Sequence, residues 1–144
     1  MKSTLIALPL VLATASFAAA QGNPAATKFM ENWDLNSDGV VTVEEATEMR
    51  NNVFYSFDSD ENGVIDDEEH VMFDEARAND IAEMPKGPGR ALIQMIADGM
   101  SKEANDANGD GTVTGPEFEA GAANWLATVD KNGDGVVTIA DFAM

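Results

Sequence analysis

The chain has 144 residues, with 26 Asp and Glu against 8 Lys and Arg and a formal charge of −18. That length suits one domain, and 44 % hydrophobic residues with two Trp and seven Phe are enough for a core. The charge argues against nucleic-acid binding and against electrostatic membrane association. Without Cys there is no disulfide, thiolate metal site or thiol nucleophile, and the single histidine, His70, leaves little room for a multi-His site. The chemistry falls to oxygen ligands.

Residues 1–20 read MKSTLIALPLVLATASFAAA: basic Lys2, an apolar stretch from Leu5, then small residues ending Ala18-Ala19-Ala20. This is the three-part pattern of a secretory signal peptide. Pro9, Thr14 and Ser16 break the stretch, which is too short for a membrane span of about 20 residues. Cleavage after Ala20 is expected, giving a periplasmic or secreted mature chain 21–144 with no membrane span. Its seven basic and 26 acidic residues carry a charge of −19.

Four segments of that chain align without gaps: residues 34–45, 58–69, 106–117 and 130–141, or DLNSDGVVTVEE, DSDENGVIDDEE, DANGDGTVTGPE and DKNGDGVVTIAD. Each has Asp at position 1, Asp or Asn at 3 and 5, Gly at 6, a β-branched residue at 8 and an acid at 12. A hard cation such as calcium takes six to eight oxygens at roughly 2.3–2.6 Å. Three early side chains converge on such an ion if the backbone then turns through positive φ, which explains the glycine at position 6. The expected side-chain ligands are Asp34, Asn36, Asp38 and Glu45; Asp58, Asp60, Asn62 and Glu69; Asp106, Asn108, Asp110 and Glu117; and Asp130, Asn132, Asp134 and Asp141. Position 7 offers a carbonyl (Val40, Val64, Thr112, Val136), and position 9 acts directly or through water (Thr42, Asp66, Thr114, Thr138). Val41, Ile65, Val113 and Val137, at position 8, suit short strands that pair loop to loop.

On these motifs the mature chain resembles the EF-hand superfamily, the calmodulin-like helix–loop–helix calcium proteins. The resemblance implies an all-α fold, an EF-hand array with short paired β segments in its loops, and up to four bound Ca²⁺. A second likeness lies in the interval: Asp34 to Asp58 and Asp106 to Asp130 are both 24 residues. This short spacing, with four loops and an export signal, resembles the lanmodulins, secreted bacterial proteins selective for lanthanides. The proline those proteins carry at loop position 2 is replaced here by Leu35, Ser59, Ala107 and Lys131.

The helices before the loops should present apolar residues at helical spacing. The first does so with Ala26, Phe29, Met30 and Trp33, behind Asn23-Pro24 as N-cap and first turn. The second offers Val53, Phe54 and Phe57, and the fourth Ala122, Trp125, Leu126 and Val129. The third is out of phase: Asp98, Ser101, Lys102 and Asn105 stand where apolar residues belong, so a break near Gly99 is expected. Met84-Pro85-Lys86-Gly87-Pro88-Gly89 reads as a linker at 84–89. Only 12 residues, 46–57 and 118–129, separate neighbouring loops. A continuous helix there, roughly 20 Å long, keeps its two loops apart. Either it breaks, at Asn51-Asn52 or Gly121, or loops pair across the linker, first with fourth and second with third.

The loops rank second, first, third, fourth: the second adds a fourth carboxylate, Asp66, the third has the charge of the first but a poorly phased entering helix, and the fourth ends in Asp141, one methylene shorter than Glu. Met30, Met49, Met72 and Met95 read as core residues rather than a partner-binding groove. Trp33 and Trp125 read as core, and His70 as a solvated helix residue. No serine elbow, phosphate loop or thiol is present, so the expectation is a binding protein and not an enzyme. It would serve as a Ca²⁺ buffer or a Ca²⁺-responsive protein with a calcium-dependent partner. The alternatives are a lanthanide-binding protein, or a calcium-dependent docking and adhesion module of the dockerin kind.

Overall fold

The computed structural model describes residues 23–143; the expected signal peptide, 1–20, lies outside them. The first helix, α1 (Pro24–Trp33), starts where Asn23 caps it, the side chain accepting from the Ala25 N–H at 3.0 Å with Pro24 in the first turn. Four loops then alternate with helices. Strand β1 (Val40–Val41) leads into α2 (Val43–Phe57), and β2 (Val64–Ile65) into α3 (Asp67–Glu83). Helix α4 (Pro88–Asp98) and the single turn α5 (Lys102–Asn105) precede β3 (Val113–Thr114). Helices α6 (Gly115–Ala120) and α7 (Ala122–Val129) precede β4 (Val137–Thr138), and a 3₁₀ turn, Ile139–Phe142, follows. The described chain is thus mostly helical with two small antiparallel sheets, and no described helix is long and apolar enough to cross a membrane.

Helix α2 runs unbroken through Asn51-Asn52. Gly121 separates α6 from α7 but stays in the right-handed helical region, at φ −70° and ψ −13°. Its carbonyl accepts the Trp125 N–H at 2.9 Å, so 115–129 acts as one rod. The loops consequently pair across the linker. Val40 faces Thr138 and Val41 faces Val137, while Val64 faces Thr114 and Ile65 faces Val113. The first loop lies beside the fourth and the second beside the third, at opposite ends of two antiparallel rods, α2 and α6–α7, which pack on each other. Alternation in each strand sends Val41, Ile65, Val113 and Val137 inward, all fully buried.

The core is largely aromatic. At the first–fourth end Phe29 lies 6.0 Å from both Trp33 and Trp125 and 5.2 Å from Phe142, and the two Trp rings are 4.2 Å apart. Toward the second–third end Phe118 packs 6.0 Å from Phe54 and 6.1 Å from Phe73, which stacks on Phe57 at 4.5 Å. Between the clusters lies Arg50, fully buried, its guanidinium 4.1 Å from the centre of the Phe118 ring and 5.6 Å from that of Trp125.

The chain breaks at Gly99, as expected, and close approach requires glycine there. A Cβ there would sit 2.6 Å from Trp125 Cδ1, and the Trp125 ring N–H donates to the Ile96 carbonyl at 2.9 Å. Three expectations need correction. The linker is shorter than 84–89, because Pro88 and Gly89 open α4, proline being compatible with a first helical turn. His70 is buried, stacked against Phe73 at 6.2 Å; neither ring nitrogen has a partner among the described residues, and burial pushes its pKa down. Met72 and Met95 are 49 % and 38 % exposed, whereas Met30 and Met49 pack against the core. Truncating Phe29 to Ala should cost about 3–5 kcal/mol in a denaturant melt and loosen the Phe142 turn; a loss under about 1 kcal/mol would contradict this packing.

Candidate metal centre

Each loop is closed by the same set of backbone donors. The position-1 carboxylate accepts the N–H of the glycine at position 6, at 2.8 Å for Asp34–Gly39, 2.9 Å for Asp58–Gly63, 2.9 Å for Asp106–Gly111 and 2.8 Å for Asp130–Gly135. Those glycines have φ of 85°, 82°, 90° and 89°, left-handed values that a side chain strains. Position 4 is left-handed as well: Gly109 and Gly133 occupy it in the third and fourth loops, but Ser37 and Glu61 in the first and second.

At position 3, Asn36, Asp60, Asn108 and Asn132 accept the N–H of position 5. At position 5, Asp38, Asn62, Asp110 and Asp134 accept the N–H of position 7, that of Val40, Val64, Thr112 and Val136. Position 9 caps the following helix. Thr42, Asp66, Thr114 and Thr138 are N-caps, each in a capping box with the acid at position 12. Position 9 thus has a capping role besides the expected ligand role, and the signal for it in the sequence is Thr or Asp followed three residues on by an acid.

The position-12 carboxylate reaches back across the loop. Glu45 accepts from the Asn36 N–H at 3.3 Å and Glu117 from the Asn108 N–H at 3.3 Å. Glu69 accepts from the Ser59 N–H at 2.7 Å and its hydroxyl at 2.8 Å; Ser59 is a contact that the repeat pattern did not flag. Asp141, despite its shorter side chain, accepts from the Lys131 N–H at 3.1 Å and the Thr138 N–H at 2.8 Å. It does so from the 3₁₀ turn rather than from an α-helix. All four acids therefore close their loops.

Three carboxylates converge in the second loop only, among the described residues: Asp58, Asp60 and Glu69 each place an oxygen within 4.8 Å of the other two. The other loops carry Asn at position 3 (Asn36, Asn108, Asn132) and their third acid at position 5 (Asp38, Asp110, Asp134), where the second loop has Asn62; the second loop alone adds an acid at position 9, Asp66. Asp58 and Glu69 are buried and Asp60 is exposed. Burial is the largest influence on Glu69 and pushes its carboxyl up, but hydrogen bonds from Ser59, Asp66 and Asp60 outweigh it and hold the group below its ordinary value. Glu117 is lowered by the Thr114 N–H and hydroxyl, and Asp110 by the Thr112 hydroxyl and N–H. Lys102 Nζ lies 2.5 Å from Asp67 Oδ1, linking the helix turn before the third loop to the helix after the second.

Depressed carboxylates stabilise the fold above their unfolded pKa, near 4.3 for Glu, and that contribution is lost as pH falls through the lower folded value. Carboxyl-carbon NMR titration of the metal-free protein should therefore place Glu69 and Glu117 midpoints below about 4.3. Midpoints at or above it would contradict the closed loops. No family model, curated protein or solved structure matches this chain.

Proposed function

We propose that this chain is an exported EF-hand calcium-binding protein, with four sites and no catalytic role. The observation that supports it most is the meeting of Asp58, Asp60 and Glu69 within 4.8 Å inside a loop whose residue pattern recurs four times in the sequence. In that loop Asp58, Asp60, Asn62, the Val64 carbonyl, Asp66 and Glu69 would hold the ion. The other three sites would use the corresponding residues. Every donor is oxygen, the hard ligand set that calcium prefers.

The second site is the tightest in this reading, because to the three acids that every loop supplies it adds a fourth, Asp66, at position 9. The fourth is the weakest, because its position-12 carboxylate is the shortest. The ion also has a structural effect. The loops hold 17 of the 26 acids, so repulsion is concentrated there, and part of the binding free energy goes into compacting the chain. Residues 1–20 address the protein to the periplasm or the medium.

Calorimetric titration with Ca²⁺, Mg²⁺ and La³⁺ tests stoichiometry and selectivity together. Up to four Ca²⁺ should bind, and Glu69→Gln should weaken the tightest site at least about tenfold; a protein that takes up no Ca²⁺ overturns the reading, and a preference for La³⁺ by orders of magnitude replaces calcium with lanthanides. Calcium at about 100 times Kd should raise unfolding free energy by about 2.7 kcal/mol per site, followed by Trp33 and Trp125 fluorescence on melting. A melt unchanged by chelator would remove the folding role.

A further inference from the structure

We propose that Arg50 is a positioning residue for the third loop, presetting it for its ion from the helix that carries the first two loops. The proposal rests on the calcium reading above, but its geometry is independent of any ion. Arg50 Nη2 donates to Asn105 Oδ1 at 2.5 Å and to the Phe118 carbonyl at 2.9 Å, and Nε donates to the same carbonyl at 3.1 Å. Asn105 immediately precedes Asp106, position 1 of the third loop, and Phe118 immediately follows Glu117, position 12. One buried fork thus grips both flanks of a 12-residue loop.

Asn105 is itself tied down, its Nδ2 donating to the Ser101 carbonyl at 2.7 Å and the Gly99 carbonyl at 3.2 Å. The guanidinium plane lies over the Phe118 ring. Among the described residues no carboxylate comes within salt-bridge distance of Arg50, so its directional partners are the two loop flanks. The flanks of the other loops are Trp33 and Ala46, Phe57 and His70, and Val129 and Phe142, and among the described residues no side chain bonds both flanks of any of them; Asn23 donates to the Phe142 carbonyl alone. Metal binding requires positions 1 and 12 to be brought together. Holding their neighbours at a fixed separation removes part of that ordering cost before the ion arrives. The effect is therefore local to the third loop, with a smaller consequence for the second, which pairs with it.

Two kinds of variant disturb the fork. Arg50→Met removes it, and Arg50→Lys keeps the charge but not the two-flank reach. Gly121→Ala acts from outside, since a methyl group there would lie 2.9 Å from Arg50 Nη2 and 2.8 Å from Asn105 Oδ1. Alanine suits the helix better than glycine, so the rod itself is retained. The experiment is a calcium titration of the mature chain followed by amide NMR of Gly39, Gly63, Gly111 and Gly135, one reporter per loop. All three variants should weaken the third site about tenfold, leaving the first and fourth within about twofold. Equal loss at all four sites, an unchanged third site, or full rescue by Arg50→Lys would each overturn the proposal. Amide exchange without metal gives a second readout: exchange across 106–111 should accelerate in the variants, with the first loop unaffected. If wild-type protein shows no calcium-dependent shifts, the calcium reading fails. The exchange result then still decides whether the fork orders the third loop, and unaltered exchange in the variants would refute it.

Discussion

The constraint on which the architecture depends is the length of chain between neighbouring loops. Twelve residues form about 18 Å of helix, too long and too stiff to fold a loop back onto the one before it. Because α2 continues through Asn51-Asn52 and 115–129 continues through Gly121, each rod holds its two loops at opposite ends. Buried strand residues such as Val41 and Ile65 must still find partners, and these come only from the other rod. Antiparallel packing of the two rods supplies both pairs at once. The linker after Glu83 need only return the chain, which Met84–Gly87 accomplishes before Pro88 starts the next helix.

Arg50 occupies the middle of that arrangement. A buried guanidinium loses hydration, and burial pushes its pKa down to about 10. What offsets the loss is a carbonyl, an amide oxygen and two aromatic faces, each individually modest. The same contacts account for Asn105, a polar residue buried where the other loops are preceded by Trp33, Phe57 or Val129. Its amide would be costly in an apolar slot without a partner. Arg50 and Asn105 are intelligible only together, and each looks misplaced when read along its own helix.

That distinction separates what the sequence made legible from what it did not. Features carried by local pattern were readable: the loop boundaries, the glycines at position 6, the inward residues at position 8, the Asn23 cap, and Trp33 and Trp125 as core. The pairing of the loops was reduced to two alternatives by length alone, and helix continuity decides between them. Features that depend on contacts between distant segments were not readable. Asn105 reads as a misfit because its partner lies 55 residues away. His70, following a loop glutamate, reads as solvated, whereas Phe73 and the helix packing bury it. Met72 and Met95 have helical spacing but face outward, since spacing identifies a face and not which face is covered. In the candidate site, the extra carboxylate of the second loop, Asp66, is legible in the sequence, whereas the meeting of Asp58, Asp60 and Glu69 is a matter of geometry. The Ser59 contact and the capping role of position 9 required backbone geometry.

The loops also show how so much negative charge is accommodated. Each position-1 Asp and each position-12 acid accepts backbone N–H groups, so partial positive charge already faces the carboxylates. A carboxylate has about four acceptor sites on its two oxygens, and the bonds described leave capacity for a further positive partner. The two loop pairs lie about 18–22 Å apart along the rods, beyond the Debye length of about 8 Å at physiological salt. Charge at one end is therefore largely screened from the other. Whatever one end transmits to the other must pass through packing along α2 and α6–α7, where Phe29, Trp125, Arg50, Phe118 and Phe54 form a continuous series of contacts. A close-packed series of this kind yields little when one member shifts, so mechanical coupling between the ends is the only kind that this geometry favours.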